Sequence, residues 1–402
     1  MNILIINQYA GSKKHGMVYR PYYLAHEWMK LGHNVGIVAG SFSHARNIQP
    51  DKPTEMIDGI KYFWLKNSKY DKNNIYRFRN ILAFINQLKH KLDKICQGFK
   101  PDIIISSSTH NLDIYTANKC AKKYNSKLVY EVRDLWPLSP IQVGGMSKNN
   151  VFIRLVQKAE DFAYRNADTV VSLIPKAFDY MHKHGLDKKR FNYIPSGIDI
   201  ADWDNTQPLA KVVKNTILSY KSKSKIIIGY TGAHGKANAL SSLIEAAIEF
   251  NIHDISLVLV GDGLEKDKLV NRYAKYENIH FIDSVPKEQI PSLIELFDIC
   301  YIGLINQPLF KYGISPNKVL DYMMAGKPVI HAINSSNDIV AESHSGFSVK
   351  AENVDDLIKT FAIILKTPKY TLNKMGQNGK KYVLKHHNYK VLAKKYLDAI
   401  GG

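Results

Sequence analysis

Ser315-Pro316-Asn317-Lys318-Val319-Leu320-Asp321-Tyr322-Met323-Met324-Ala325-Gly326-Lys327-Pro328-Val329-Ile330 reads as a polar loop, a short helix and a strand, in that order. Pro316 is expected at the first helical position, where the N–H it lacks would have no partner anyway. Gly326 ends the helix and Pro328 prevents its resumption. The free N–H groups and positive dipole end of such a helix suit a phosphate. Lys318 adds a full charge in the first turn, and Asp321, about one turn on, can accept hydrogen bonds from both vicinal hydroxyls of a ribose. An ordinary capped helix followed by a strand would look the same, so the string needs its surroundings.

Outward from this string the chain alternates apolar runs with amphipathic ones. NILIINQ, NVGIVAG, PDIIISSS, SKLVYEVRD and DTVVSLI form a first series of strand candidates, and KIIIGYTG, ISLVLVGDG, NIHFIDSV, DICYIGL and KPVIHAI a second. Apolar strands separated by helices imply parallel sheets covered on both faces, the α/β class. The series restarts after IPSGIDIADW, and residues 202–224 lack a clear period, so two α/β domains are expected to meet near residues 197–222. A single lysine-rich helix is expected over about 371–399.

The chain has 402 residues, which suits two cores better than one. Hydrophobic residues make up 45% and charged residues 23%, the balance of a soluble globular protein. No run approaches the roughly 20 apolar residues of a spanning helix, and MNILIINQYAG reads as a first strand and loop rather than a leader. A cytoplasmic protein is therefore expected. Cys96, Cys120 and Cys300 have neither metal nor disulfide spacing. The net charge of +19 favours anionic partners without choosing among nucleic acid, phosphorylated substrates and membrane. The usual basic and aromatic strings of nucleic-acid binders are absent, which argues against nucleic acid.

Residues 61–100 carry ten Lys/Arg against two Asp, and Phe78, Ile81, Leu82, Ile85, Leu88, Leu92 and Ile95 recur at helical spacing. A basic amphipathic helix over about 75–97 either docks on anionic lipid or packs its apolar face on the domain core.

Further strings carry chemistry. Gly229-Tyr230-Thr231-Gly232-Ala233-His234-Gly235-Lys236 is a strand emptying into a glycine loop that lets backbone approach a diphosphate, with Lys236 to neutralise a leaving group. Val260-Gly261-Asp262-Gly263 ends another strand, and Phe281-Ile282-Asp283-Ser284-Val285-Pro286 a third. Ala10-Gly11-Ser12-Lys13-Lys14-His15-Gly16-Met17 joins the first strand to the helix containing Tyr19-Arg20-Pro21; it is either a mobile lid or a plain surface loop. Glu131-Val132-Arg133-Asp134-Leu135-Trp136-Pro137 ends a strand where open α/β sheets place ligands. There Asp134 is a candidate for orienting or deprotonating a hydroxyl and Arg133 for holding a phosphate, or the two brace the loop as a pair. His110, after SSST, points to the same edge.

Together these strings resemble the family 4 retaining glycosyltransferases of the GT-B fold, over nearly the whole chain. The Ser-Pro-Asn-Lys form is similar to a bacterial surface-polysaccharide subgroup that includes N-acetylfucosamine-type transferases. The resemblance implies two Rossmann-like domains facing across a cleft: 1–200 for the acceptor, 201–372 for the nucleotide sugar, and a C-terminal helix, 373–402, crossing back to the first. It implies donor contacts from Gly16, Gly232, Lys236, Gly261, Val285 (base), Ser315, Pro316, Asn317, Lys318 and Asp321 (ribose). Acceptor contacts fall on Tyr19, Arg20, His110, Arg133 and Trp136, with Asp134 and Lys236 catalytic. The sequence departs from the family pattern at Gly313 and Asp321, where two Glu are usual, at Asn238 for a Lys, at Arg133 for a His and at Ser196 for an Asn.

The implied reaction moves a sugar, of hexosyl or N-acetylhexosaminyl type, from a UDP-sugar to a polyprenyl-diphosphate-linked saccharide, with retention, in O-antigen or capsule synthesis at the inner membrane face. No Asp-x-Asp cluster suited to Mg²⁺ is present, so a metal-independent reaction without cofactor is expected. A UDP-sugar 2-epimerase of the same fold is the alternative enzyme. A dinucleotide oxidoreductase is disfavoured because no Gly-x-Gly-x-x-Gly follows a strand.

Overall fold

The computed structural model describes residues 1–70 and 75–401. The chain forms two compact units, Met1–Ser196 with Tyr389–Gly402, and Gly197–Asn388.

In the first unit the elements run β1 (Asn2–Ile6), α1 (Arg20–Lys30), β2 (Asn34–Gly40), β3 (Thr54–Ile57), β4 (Ile60–Leu65), α2 (Ile75–Phe99), β5 (Ile103–Ser106), α3 (Ile114–Tyr124), β6 (Lys127–Val132), α4 (Leu138–Gln142), α5 (Val151–Asn166), β7 (Thr169–Ser172), α6 (Phe178–Lys183) and β8 (Phe191–Tyr193). The sheet order is β3-β4-β2-β1-β5-β6-β7-β8. Every pairing is parallel except β3 with β4. That hairpin turns on Asp58-Gly59, both at positive φ (48° and 81°), a two-residue turn whose twist matches the strands it joins.

The second unit contains α7 (Ala201–Asp204), α8 (Lys211–Lys221), β9 (Ile226–Thr231), α9 (Leu240–Ala247), β10 (Ile255–Val260), α10 (Lys266–Tyr273), β11 (Ile279–Ile282), α11 (Ile290–Ile294), β12 (Ile299–Gly303), α12 (Asn317–Met324), β13 (Val329–Ala332), α13 (Ile339–Glu342), β14 (Gly346–Val349), α14 (Val354–Lys366) and α15 (Lys369–His386). Its six parallel strands lie in the order β11-β10-β9-β12-β13-β14. Central strands such as β5 and β10 are buried at every position, as expected where helices cover both faces.

The expected single helix over 371–399 is corrected. His387 and Asn388 interrupt it, and α16 (Tyr389–Ile400) follows as a separate helix. Only α16 joins the first unit; α15 stays with the second. Tyr389, Leu392, Ala393, Tyr396, Leu397 and Ile400 of α16 are buried in the first unit's core beside Tyr23 and Trp28. The Trp28 Nε1–H donates to the Ala393 carbonyl at 3.0 Å.

The stripe read on α2 is mostly core. Ile81, Phe84, Leu88, Leu92 and Cys96 are buried, so the helix packs on its own unit along most of its length. Leu82 stays exposed and Ile85 and Ile95 half-buried. Asp71 and Lys72, two of the charges counted there, lie outside the described residues.

Candidate functional site

In an open parallel sheet the crevice for a ligand opens at the carboxyl ends of strands where the order reverses. In the second unit that point lies between β9 and β12. The loop leaving β9 is fixed by its neighbours. The Gly232 N–H donates to the Val260 carbonyl (2.9 Å), that of His234 to Asp262 (2.8 Å), and that of Ile305 to Ala237 (3.0 Å). The Tyr230 hydroxyl and the Asn238 side-chain amide both donate to the Ala233 carbonyl. Gly261, at φ 150°, admits no side chain: a Cβ there would stand 1.9 Å from the Gly232 carbonyl oxygen. This loop therefore needs glycine for close backbone approach.

Lys318 reaches this loop from α12. Its Nζ donates to the Tyr230 hydroxyl (2.8 Å) and the Asn238 Oδ1 (3.3 Å) and lies 4.2 Å from the centre of the Tyr230 ring. A Cβ on Gly232 would meet Nζ at 3.0 Å, so the ammonium sits against that glycine. Burial pushes the Lys318 ammonium down to about 8. Pro316 is the cap of α12 rather than its first residue, with extended backbone (φ −76°, ψ 132°). Pro316 itself gives the helix no side-chain cap, so the first-turn N–H groups of α12 receive no bond from the cap residue. Ser315 and Pro316 are half-buried and Asn317 is exposed.

Asp321 follows one turn along α12. Burial raises its carboxyl to about 7, opposed by the charge of Lys287. Lys287 itself pairs with Asp202 at 3.1 Å and lies two residues beyond Val285, whose side chain is half-buried against the unit's core. Lys236 is exposed at the far end of the loop. Lys318, half-buried, is thus the more enclosed cation here, and Lys236 the exposed one. Gly313, where an acid was expected from the resemblance, is buried at φ 106°.

Three further residues of this site escaped the sequence: Tyr230 and Asn238, which hold Lys318, and His234. His234 is fully buried beside the rings of Tyr230 and Phe281 (5.9 and 6.3 Å between centroids). Burial and the charge of Lys266 hold its imidazole down to about 4, so it is neutral. The only signal for them was their place in a glycine loop.

In the first unit the order reverses between β1 and β5. The Asn7 side chain donates to the Ser107 carbonyl (2.7 Å) and the Gln8 N–H to the Ser108 Oγ (3.0 Å), tying the two loops at that edge. Several expectations are corrected here. Arg20 does not face a ligand: it is buried, donating from Nε to Glu131 at 3.0 Å and from its terminal nitrogens to the carbonyls of Pro195 (2.6 Å) and Ile194 (3.2 Å). His110 is buried; its Nδ1 accepts from the Leu112 N–H, and burial holds the ring down to about 3. The loop from Gly11 to Gly16 is anchored in this structure rather than lying free on the surface. Its backbone closes on itself and on residues 46–48, the Tyr62 hydroxyl donates to the Gly11 carbonyl (2.8 Å), and a Cβ on Gly16 (φ 105°) would stand 3.0 Å from the Asn47 nitrogen.

Arg133, Asp134 and Trp136 are half-buried at the end of β6, and Tyr19 is half-buried before α1. Arg133 and Asp134 do not pair with each other; the ion pair of this edge is Arg20–Glu131. Burial raises the Asp134 carboxyl and lowers the Arg133 guanidinium. Trp136 is held by its carbonyl, which accepts from the Asn111 side chain at 2.8 Å. The Arg77 guanidinium lies over both Trp136 and Tyr9 (5.8 and 5.7 Å), two partners the sequence did not point to.

Among the described residues one cluster has metal-ligand composition: Glu160, Asp161 and His184, with ligand atoms within 4.8 Å of one another. Tyr164, Tyr180 and Gln157 already donate to Glu160, and His184 bonds Asp161, so the group is a satisfied internal network.

Residues 15–202 match the family model "Glycosyltransferase Family 4", and residues 218–382 match "Glycosyl transferases group 1". A probable glycosyltransferase of Pseudomonas aeruginosa, WbjE, is 18% identical over 347 residues, 84% of this chain and 82% of that protein. WcaI of Escherichia coli (strain K12), a putative colanic acid biosynthesis glycosyl transferase, is 20% identical over 280 residues, 68% of each chain. The crystal structure of HepE of Anabaena with UDP superposes with a TM-score of 0.69 at 14% identity, covering 100% of both chains.

Proposed function

We propose, starting from the membership of this chain in the glycosyltransferases of the GT-B fold, that it moves a sugar from a UDP-sugar to a lipid-linked saccharide during bacterial surface-polysaccharide synthesis. The observation that carries the donor half is Lys318, half-buried with its ammonium against Gly232 at the amino end of α12, with Asp321 one turn beyond. A diphosphate fits there because helix N–H groups and an ammonium converge on one spot. Asp321 suits the ribose hydroxyls, and backbone near Val285 suits the base. The UDP held by the Anabaena structure supports a uridine donor, and the colanic acid role in the WcaI name supports a polysaccharide product.

As the glycosidic bond to the donor breaks, negative charge grows on the departing diphosphate. Lys318, the first-turn N–H groups of α12 and Lys236 stabilise it, which is the work of fixed donors aimed at developing charge. The acceptor hydroxyl attacks from the face the diphosphate leaves, so configuration is retained, and a phosphate oxygen takes the proton. Asp134, whose carboxyl is raised by burial, orients the acceptor hydroxyl, and Arg133 and Trp136 hold the acceptor's phosphate and sugar. The sugar is of hexosyl or N-acetylhexosaminyl type, N-acetylfucosamine among them. The acceptor's lipid places the protein at the inner membrane face.

A thermal-shift panel of nucleotides and nucleotide sugars tests the reading, since a ligand bound only by the folded protein raises Tm. UDP and one UDP-sugar should stabilise more than ADP, GDP or CDP; equal shifts for all would refute the uridine donor. Incubation with the UDP-sugar alone should return it unchanged, and a 2-epimer in the product would refute transfer as the primary reaction.

A further inference from the structure

Helix α5 has two apolar faces. One, with Ile153, Val156, Ala159 and Ala163, is buried in the first unit. The other carries Val151, 73% exposed, and Leu155, 45% exposed, one turn apart, with the half-buried Phe162 further along. Next to it stands the amino end of α2, where Tyr76 is 52% and Leu82 43% exposed. The two ends are clamped together by aromatic rings: Phe78 meets Phe152 edge-on at 4.9 Å, and Phe152 meets Trp136 at 6.3 Å. Val143, after α4, is exposed on the connection leading into α5.

The charge around Tyr76, Leu82, Val151 and Leu155 has one sign. Residues 75–92 and 135–158 hold seven Lys/Arg and no Asp or Glu. On α5, Arg154 and Lys158 flank Leu155 on the exposed face; on α2, Arg79 and Lys89 stand three before and seven after Leu82, on its side of the helix. Arg79 lies 5.6 Å from the Tyr76 ring. Apolar side chains without cover, ringed by cations, match a surface that is oily inside and anionic outside.

We infer that the amino ends of α2 and α5 form the face by which this protein lies on an anionic lipid bilayer. Val151, Leu155, Leu82 and Tyr76 enter the headgroup boundary, and Arg79, Lys148, Arg154 and Lys158 meet lipid phosphates. The face differs from a docking stripe along the whole of α2, because that stripe is occupied by the core. It adjoins Trp136 through Phe152, so a lipid-borne acceptor would rise beside the acceptor loop. The inference deepens the acceptor side of the proposed function. Its test reads lipid binding alone, so a failed UDP shift would remove the donor reading and leave this one standing.

Co-sedimentation of the full chain with phosphatidylglycerol/phosphatidylethanolamine vesicles, and with phosphatidylcholine vesicles, provides that test. The wild type should bind the anionic vesicles at least tenfold more strongly than the neutral ones. V151S/L155S should lose tenfold or more while keeping Tm, because both side chains already face water. R79E/R154E should lose as much at low salt. K374E/K381E on α15, an equal change of charge elsewhere, should bind like the wild type. The inference is overturned if V151S/L155S binds normally, if the α15 control loses as much as R79E/R154E, or if the wild type leaves anionic vesicles unbound.

Discussion

Replacing Lys318 by Met should make the protein more stable and almost inactive. The ammonium has an ordinary value of 10.5 and is held down to about 8 by burial. At about 1.4 kcal/mol per pKa unit, keeping it charged at pH 7 costs the fold about 3 kcal/mol. The hydrogen bond to the Tyr230 hydroxyl returns roughly 1 kcal/mol of that, so the Met variant should gain about 2 kcal/mol. For a unit of this size the gain corresponds to roughly 4–8 °C in its melting transition. The sign follows from proton counts: between pH 8 and 10.5 the unfolded chain holds this proton and the folded one does not, so stability rises with pH. The wild type should therefore gain stability from pH 7.5 to 9.5 relative to Lys318→Met, whose profile lacks the term. Activity should move the other way. Losing a fixed donor to a leaving diphosphate costs about 3–4 kcal/mol, a hundred- to thousandfold in kcat. Parallel calorimetric melts and transfer assays check both halves. A variant that is less stable, or that keeps kcat within threefold, would refute the assignment.

Asp321→Asn should weaken UDP binding roughly thirtyfold or more, from the loss of about 2–3 kcal/mol in charge-assisted hydrogen bonds to the ribose. In the wild type only the carboxylate binds the hydroxyls, so titration calorimetry should show Kd rising up to tenfold per unit as pH falls below about 7, and flat behaviour in the Asn variant. Gly261→Ala, whose Cβ would overlap the Gly232 carbonyl, should destabilise by more than about 2 kcal/mol and abolish UDP binding; a normal melt and a normal shift with UDP would contradict the close approach. Arg20→Met should destabilise by about 3–5 kcal/mol by stranding Glu131, and a second change, Glu131→Leu, should restore much of it. A variant of Arg20 that stays stable and loses only acceptor KM would instead make it a binding residue.

Much of this was legible because parallel sheets write themselves plainly: fully apolar strands, helical spacing between them and a restart of the series midway. Gly232, Gly261, Lys318 and Asp321 could be picked out as candidates because they stand at a strand end or a helix start. The β3–β4 hairpin on Asp58-Gly59 was not read from the sequence, because its short strands mix polar residues with apolar ones. What failed depended on distant partners. Arg20 resembles an anion binder until Glu131 is seen 3.0 Å away, more than a hundred residues along. His110 looks exposed after SSST, yet the strand edge folds it inward. The basic stripe of α2 has the period of a membrane helix and of a core helix alike, and only burial separates them.

The seam between Trp28 and the last helix has a consequence for how the protein is made. Residues 1–196 leave the ribosome first, but the cover for Tyr23 and Trp28 is encoded nearly two hundred residues later, at Tyr389, Ala393 and Tyr396. The earlier body must wait, with an aromatic groove open to water, while the later one is synthesised from start to finish. A stop codon at position 389 would spare every residue of the donor site, yet leave the opposite end of the gene's product unfinished and prone to aggregate.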